Sequence, residues 1–296
     1  MLRPLIKSGH MQAPTTQRLT IGGDLEVWRF GFGAMRITGR GIWGPPEDRD
    51  EAIRVLRRAV ELGVNFIDTA DSYGPFVSED LIAEALHPYP EQLVIATKGG
   101  LTRSGPDIWE AVGRPEYLRQ CVHMSLRRLK LDRIDVYQLH RPDPKVPFAE
   151  SVGALAEMKQ KGLIRHIGLS NVSRRQLEEA RRITEVVSVQ NRYNLTDRSS
   201  EGVLEACEES GIAFIPWAPV AAGELARPGG PLDTVASMHG LSISQLSLAW
   251  ALHRSGVMVP IPGTSKVSHL EENLRAAEVE LSEDEWRTLE DEAGRS

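Results

Sequence analysis

Four side chains that can donate, accept or stabilise a proton stand at or just after the ends of apolar segments. They are Asp68, Tyr73, Lys98 and His140. A tyrosine hydroxyl is a weak acid at neutral pH, and a nearby ammonium group lowers its pKa by stabilising the phenolate. A carboxylate would hold that ammonium in place, and a histidine could donate a hydrogen bond to a carbonyl oxygen. This combination is typical of a general acid that protonates a developing alkoxide.

The elements that position these residues follow from the apolar pattern. Short apolar segments separated by amphipathic, helix-like stretches predict alternating strands and helices, and therefore right-handed crossovers and a parallel sheet. The predicted strands are Phe30–Met35, Phe66–Asp68, Leu93–Thr97, Ile134–Leu139, His166–Leu169, Val187–Gln190, Ala213–Ile215 and Met258–Ile261.

Eight such units over 296 residues favour an α/β fold of the single (β/α)8 TIM-barrel type over an open sheet. An open dinucleotide-binding sheet would carry three spaced glycines after its first strand, and Gly31–Arg36 lacks the third. In a barrel the carboxyl ends of the strands meet at one mouth, where Ser170, Asn171 and Gln190 would join the proton-transfer residues.

Two further elements complete the predicted domain. Leu19–Val27 reads as an N-terminal β-hairpin turning on two glycines, and Ser282–Ala293 begins with a capping box and predicts an extra C-terminal helix. We expect residues 1–16 to be a leader or a disordered N-terminus, and residues 17–296 to form one barrel domain. The segment Gly99–Gly113 is predicted to be a loop.

The composition and charge of the chain limit the classes of binding partner that we expect. With a formal net charge of −6, the protein is not expected to bind nucleic acid or an acidic membrane surface. No apolar run is long enough to span a bilayer, and two cysteines are too few for a disulfide framework or a metal site. We therefore expect a cytoplasmic protein that acts on a small molecule and holds no metal.

At this point the residues resemble those of a known family. The matching motifs are Gly63–Ala70, Tyr73-Gly74, Ala96–Lys98, Gly162–Asn171, Val189–Asn194 and Ile261–Lys266. In their order and spacing these motifs resemble the aldo-keto reductases over nearly the whole chain. The resemblance implies that Asp68, Tyr73, Lys98 and His140 form a catalytic tetrad, and that NADP(H) is the cofactor of a carbonyl reductase.

The same resemblance implies the cofactor-binding residues. Ser170, Asn171 and Gln190 would hydrogen-bond the nicotinamide carboxamide, and Trp217 would stack on its ring where the family usually has tyrosine. The residues implied for the adenosine end are Thr264, Ser265 and Lys266 at the 2′-phosphate, His269 where many relatives carry arginine, and Glu272 and Asn273 near the adenine.

The substrate side is less specific. Gly41–Pro46 and Asp71–Pro75 resemble a bacterial branch of the family that is associated with pyridoxal reduction. The rim of the substrate pocket is expected to include Trp43, Trp109 and Arg192.

Two other functions fit a barrel with these residues. Lys98 at a strand end could form a Schiff base, as in an aldolase, although Asp68 would keep it protonated. The chain could also be a cofactor-sensing binding subunit without turnover, since such subunits retain a similar tetrad.

Overall fold

The computed structural model describes residues 17–219 and 231–293. The predicted leader, residues 1–16, lies outside the described residues. Within the described part, no helix combines the length and the apolar composition that a membrane crossing requires.

Seven parallel strands form one curled sheet in the order β11-β10-β9-β8-β5-β4-β3, and two antiparallel hairpins, β1-β2 and β6-β7, lie outside it. The strands are β1 (Arg18–Ile21), β2 (Leu25–Trp28), β3 (Phe32–Gly33), β4 (Phe66–Asp68), β5 (Val94–Gly99), β6 (Leu101–Gly105), β7 (Ile108–Ala111), β8 (Ile134–Leu139), β9 (Ile164–Ser170), β10 (Ser188–Arg192) and β11 (Ala213–Trp217).

Helices alternate with the parallel strands and cover the outside of the sheet. The helices are α1 (Arg49–Glu61), α2 (Val77–Leu86), α3 (Pro115–Leu129), α4 (Phe148–Gln160), α5 (Arg174–Arg181), α6 (Glu201–Ser210), α7 (Pro231–His239), α8 (Ile243–Arg254), α9 (Val267–Arg275) and α10 (Glu283–Ala293). This is the predicted TIM barrel, with the predicted extra helix as α10.

The last predicted strand closes the barrel without forming a regular strand. Phe214 in β11 bridges to Met258 on one side, and on the other side the Gly31 amide donates to the Pro260 carbonyl at 3.0 Å. Because Pro260 and Pro262 have no N–H group, this segment cannot donate a full ladder of hydrogen bonds. The closure therefore depends on isolated bonds and on side-chain packing.

The hairpin β6-β7 and the helices α2 and α7 of the described part were not predicted. Gly99–Gly113 is predicted as a loop but contains the hairpin β6-β7. Helix α2 lacks a simple apolar stripe because it also buries Glu79, which accepts hydrogen bonds from Thr97 Oγ1 and Arg128 Nε, both at 2.6 Å. A buried charge of this kind hides the amphipathic pattern from the sequence.

The interior of the barrel is filled below its mouth. Apolar side chains from β4, β5, β8 and β11 form one cluster with those of the N-terminal hairpin. Since the hairpin occupies the amino-terminal end of the barrel, the open end is the one at the carboxyl ends of the strands, where β4, β5 and β8 deliver the predicted site residues.

The hairpin is held to the barrel by charge and by close contact. His166 Nε2 lies 2.6 Å from Asp24 Oδ1, and Arg165 Nη2 lies 2.7 Å from Asp24 Oδ2. The hairpin turn approaches so closely that a Cβ on Gly22 would lie 2.5 Å from the His166 ring, whereas one on Gly23 would meet nothing within 4 Å. Both glycines have positive φ, +61° and +80°.

We expect Gly22→Ala to lower the free energy of unfolding by about 2–5 kcal/mol, because it combines the left-handed backbone cost with overpacking against His166. Gly23→Ala carries the backbone cost alone and should lose about 1–2 kcal/mol. Urea denaturation of both variants measures the difference. Equal losses would contradict an overpacking cost at His166.

Candidate active site

The structure brings the four predicted proton-transfer residues together at the mouth of the barrel. Asp68 ends β4, Lys98 lies near the end of β5 and His140 follows β8, while Tyr73 is delivered by the turn after β4. All four are buried, with exposed fractions of 1%, 0%, 8% and 6% for Asp68, Lys98, His140 and Tyr73.

Lys98 is the centre of this group. Its Nζ donates to Asp68 Oδ1 at 2.5 Å, to the Thr69 carbonyl at 2.8 Å and to the Tyr73 hydroxyl at 3.3 Å. Burial lowers the pKa of Lys98, but the negative partner Asp68 and the hydroxyl of Tyr73 raise it, and the net pKa lies above its ordinary value. Lys98 is therefore a fixed ammonium with all three protons engaged.

The second oxygen of Asp68 is also satisfied. Gln138 Nε2 and Gln190 Nε2 each donate to Asp68 Oδ2 at 2.8 Å. Gln138 is absent from the set of predicted site residues, although a glutamine inside the apolar segment Ile134–Leu139 is a signal in the sequence. A buried carboxylate is stable only when paired and hydrogen-bonded, and these two amides complete its environment.

The pKa of Tyr73 is shifted in the direction opposite to the predicted one. The sequence predicts that Lys98 lowers the pKa of Tyr73. In the structure, burial raises that pKa more than the charge of Lys98 lowers it, and the net pKa lies above its ordinary value. The correction follows from the depth of the hydroxyl, which the sequence does not reveal. At neutral pH Tyr73 consequently keeps its proton.

His140 is placed as a neutral hydrogen-bonding group. Burial, followed by the charges of Lys98 and Arg141, lowers its pKa well below the ordinary value. Its Nδ1 lies 3.2 Å from Ser72 Oγ, and its ring lies edge-on to Tyr73 with 5.8 Å between centroids. If the serine donates to Nδ1, Nε2 carries the proton and can donate to a ligand.

These residues lie in a cleft of about 740 Å³. Its apolar wall includes Met35, Leu101 and Trp109, and the Trp109 ring lies 6.3 Å from that of Tyr73. Among the described residues, no group of three His, Cys, Asp or Glu could hold a metal ion.

Arg103, which the sequence did not single out, organises this wall. Its Nη1 donates to the carbonyls of Ile42 and Ser72, both at 2.8 Å. Its other N–H groups donate to the carbonyls of Gly41 at 2.9 Å, Ile108 at 2.8 Å and Gly105 at 3.3 Å. One guanidinium thus joins the loop after β3, the turn that carries Tyr73, and the hairpin β6-β7.

The predicted rim residues are separated by this arrangement. Trp109 lines the cleft, with the Arg103 guanidinium carbon 3.5 Å from its ring centroid. The Trp43 ring centroid lies 5.7 Å from the Arg103 guanidinium carbon, and Trp43 is not among the residues that line the cleft.

Arg192, also predicted at the rim, is not among the residues that line the cleft. Its Nε lies 3.0 Å from Asp197 Oδ2, and its guanidinium carbon lies 5.6 Å from the centroid of the Trp217 ring. Trp217 itself lines the cleft, and its Nε1 donates to Asn171 Oδ1 at 3.1 Å. Asn171 Nδ2 in turn donates to the His140 carbonyl at 3.0 Å. These bonds fix the position of the Trp217 ring.

Only some of the residues predicted to bind the adenosine end of the cofactor line the main cleft. Thr264, His269, Glu272 and Asn273 line the main cleft. Ser265 lines an adjoining cleft of about 390 Å³ that also contains two arginines outside the predicted set, Arg36 and Arg40. Lys266 is exposed at the start of α9 and lines neither cleft.

Comparison with known proteins identifies the family. The model of the aldo/keto reductase family matches residues 29–292. The chain belongs to the aldo/keto reductase family. It is therefore an oxidoreductase by family.

Relatives cover most of the chain. An uncharacterized oxidoreductase of Schizosaccharomyces pombe is 56% identical over 274 residues, 93% of this chain and 89% of that protein. Pyridoxine 4-dehydrogenase of Escherichia coli is 44% identical over 274 residues, 90% and 96% of the two chains. Among solved structures, a thermostable aldo-keto reductase with the inhibitor epalrestat is 34% identical with a TM-score of 0.81, covering 93% of this chain and 98% of that one. The resemblance to the pyridoxal-reducing branch is thereby supported.

The buried pair generates a stability prediction. Lys98→Met leaves Asp68 charged in the core without a counter-ion, and we expect a loss of about 3–5 kcal/mol in the free energy of unfolding. The double variant Asp68→Asn/Lys98→Met removes both charges and should lose less than Lys98→Met alone. Urea denaturation at neutral pH measures both.

The exposed pair Arg174–Glu178 on α5 is the matched control. The cycle of Arg174→Met and Glu178→Gln should give a coupling energy below about 0.5 kcal/mol, as is usual for surface pairs. Additive losses at Asp68 and Lys98 would contradict a coupled buried pair.

Proposed function

We propose that this protein reduces an aldehyde or a ketone to an alcohol with NADPH, as a carbonyl reductase of the alcohol dehydrogenase type. The observation that carries the proposal is the Tyr73 hydroxyl, which lies in the cleft 3.3 Å from the charged Nζ of Lys98. A proton donor beside a fixed cation suits the formation of an alkoxide that must be protonated.

The residues of the chain divide this work. His140 orients the carbonyl oxygen through its Nε2 proton, and Tyr73 donates its own proton to that oxygen. The phenolate that remains is stabilised by Lys98, which Asp68 and the Thr69 carbonyl hold in place. Solvent then returns a proton to Tyr73. NADPH, when bound, supplies the hydride for the carbonyl carbon.

The donors and acceptors of the cleft fit the nicotinamide carboxamide. Gln190 uses its Nε2 for Asp68, so its Oε1 is left to accept from the amide of the ligand. Ser170 accepts a bond from Asn171 Nδ2 at 3.0 Å, which leaves its hydroxyl proton to donate to the carboxamide oxygen. Trp217 offers a ring that Asn171 fixes in place. The Asn171 side chain is already bonded to His140, Ser170 and Trp217, so we assign it the role of holding the Trp217 ring.

The phosphate end has a comparable set of donors. Thr264 and Ser265 supply hydroxyls next to the exposed ammonium of Lys266, and Arg36 lines both adjoining clefts. Cations and hydroxyls in a helix-flanking loop favour an organic phosphate. We assign Thr264, Ser265 and Lys266 to the adenosine 2′-phosphate and add Arg36 to the phosphate-binding groups.

Pyridoxal is the first substrate to test. The relative from Escherichia coli is named for pyridoxine, and the wall formed by Met35, Leu101 and Trp109 suits a flat ring. NADPH oxidation measured with pyridoxal, aromatic aldehydes, ketones and sugars would rank the classes, and the absence of turnover with all of them would favour the cofactor-sensing subunit.

The Schiff-base alternative is not supported by the geometry. A nucleophilic lysine must be neutral and reachable, whereas Lys98 is 0% exposed and its three protons are donated to Asp68, Thr69 and Tyr73.

The first functional prediction concerns the proton donor. Tyr73→Phe removes the proton while keeping the ring, so kcat should fall by about 10²–10⁴-fold, with NADPH affinity nearly unchanged. Tyr89→Phe is the control, because its hydroxyl donates to the Leu129 carbonyl at 2.6 Å, away from the cleft, and its loss should leave turnover intact. Full activity in Tyr73→Phe would rule out Tyr73 as the acid.

The second concerns cofactor choice. Only NADPH carries a 2′-phosphate, so Lys266→Ala should weaken NADPH binding about tenfold and leave NADH binding nearly unchanged. Lys161→Ala, at the exposed end of α4, removes the same charge elsewhere and should change neither affinity. Titration of the wild type and both variants with each cofactor, followed by tryptophan fluorescence, gives the six dissociation constants. Equal affinity of the wild type for both cofactors would overturn the 2′-phosphate assignment.

A further inference from the structure

In the lining of the main cleft, arginines outnumber the acidic side chains that are not already paired with a lysine. Its lining contains two arginines, Arg36 and Arg141, and two acids, Asp68 and Glu272. Asp68 is already neutralised by Lys98 at 2.5 Å. The protein as a whole carries a net charge of −6, so the arginines at this mouth do not reflect a generally basic surface.

Arg36 belongs to the cofactor end. Its Cγ lies 3.5 Å from the position that a Cβ on Gly263 would take, and it shares the adjoining cleft with Thr264 and Ser265. The phosphate groups of the cofactor therefore account for Arg36.

Arg141 lies beside the reaction centre. It directly follows His140 in the chain and is exposed to the cleft. Its charge acts on the His140 ring, as one of the causes that, after burial and Lys98, lower the pKa of His140. Among the residues that the structure describes, no hydrogen bond or ion pair involves the Arg141 side chain.

The neighbouring charged residues do not serve as its partners. Asp143 accepts from the backbone amides of Gly113 and Lys145, both at 2.9 Å, and so bonds within its own loop. Arg103 cannot replace Arg141 as an anion binder, because its N–H groups donate to five backbone carbonyls. Among the described residues that line the substrate half of the cleft, Arg141 is consequently the cation whose donors are left for a ligand.

We infer that Arg141 is a specificity-determining residue that binds an anionic oxygen group, a carboxylate or a phosphate, on the carbonyl substrate. The planar guanidinium presents paired donors that match either group, and its charge would also draw anions toward the mouth. The inference rests on the proposed carbonyl reduction and adds a substrate class: a compound with a flat apolar body against Trp109 and an anionic substituent.

The kinetic test compares matched aldehydes. The quantity measured at low salt is kcat/KM for 4-carboxybenzaldehyde divided by kcat/KM for 4-nitrobenzaldehyde. This ratio should be about tenfold lower in Arg141→Gln than in the wild type. Using the ratio removes any general change in rate. Arg127→Gln, an exposed arginine on α3 outside the cleft, changes the net charge equally and should keep the wild-type ratio.

Two additions identify the anion and the mechanism. The same ratio for pyridoxal 5′-phosphate against pyridoxal shows whether phosphate is the preferred group: a larger Arg141 dependence in this pair assigns phosphate, and a larger one in the benzaldehyde pair assigns carboxylate. The preference for the charged aldehyde should also shrink as ionic strength rises, because exposed charges are screened.

A binding measurement separates this inference from the proposed function. Benzoate should bind the complex with NADP⁺ more tightly than benzamide, by tryptophan fluorescence, and Arg141→Gln should remove the difference. If no aldehyde is reduced, the proposed function fails and the binding result still decides the role of Arg141. A ratio and a benzoate preference that are the same in wild type and Arg141→Gln would overturn the inference while leaving carbonyl reduction in place.

Discussion

The ion pair between Lys98 and Asp68 is the constraint on which the rest of the site depends. Two charges with almost no exposure are tolerated inside a protein only when they are paired and their remaining donors and acceptors are satisfied. Here Gln138, Gln190 and the Thr69 carbonyl complete that requirement. The register between β5 and β8 sets Lys98 opposite Gln138, so the pairing of strands places the polar groups. The Tyr73 hydroxyl accepts from the same Nζ, and it is thus positioned by groups that the fold already needs.

A second layer holds the walls of the cleft against this centre. Arg103 joins three separate loops through backbone carbonyls, and one of these, that of Ser72, belongs to the residue whose hydroxyl contacts His140. On the other side, Asn171 links the His140 backbone to Trp217. Both devices connect a wall to the tetrad through hydrogen bonds to the main chain, which tolerates changes of side chain at the contacted positions. The chemistry can therefore stay constant while the wall changes.

The cleft has two ends of different character. Hydroxyls and cations at Thr264, Ser265 and Arg36 lie at one end, whereas Met35, Leu101 and Trp109 form an apolar wall near Tyr73. Such a division suits two ligands bound together, one phosphorylated and one with a flat apolar body.

The sequence by itself determined the alternation of strands and helices, the hairpin, the closed barrel and the position of Asp68, Tyr73, Lys98 and His140 at its mouth, because apolar periodicity and strand-end position are local signals. It failed where the deciding contact joins distant segments. The sequence around Arg103 does not indicate that its side chain bonds to residues 41, 42 and 72. Likewise, the sequence around Trp43 and Arg192 does not indicate that they lie outside the cleft lining. The direction of the Tyr73 pKa was missed for a related reason: it depends on how deeply the hydroxyl is buried relative to its distance from Lys98. Residue types and spacing name the groups that can react, but burial and long-range hydrogen bonds, which exist only once the chain has folded, decide their charge and orientation.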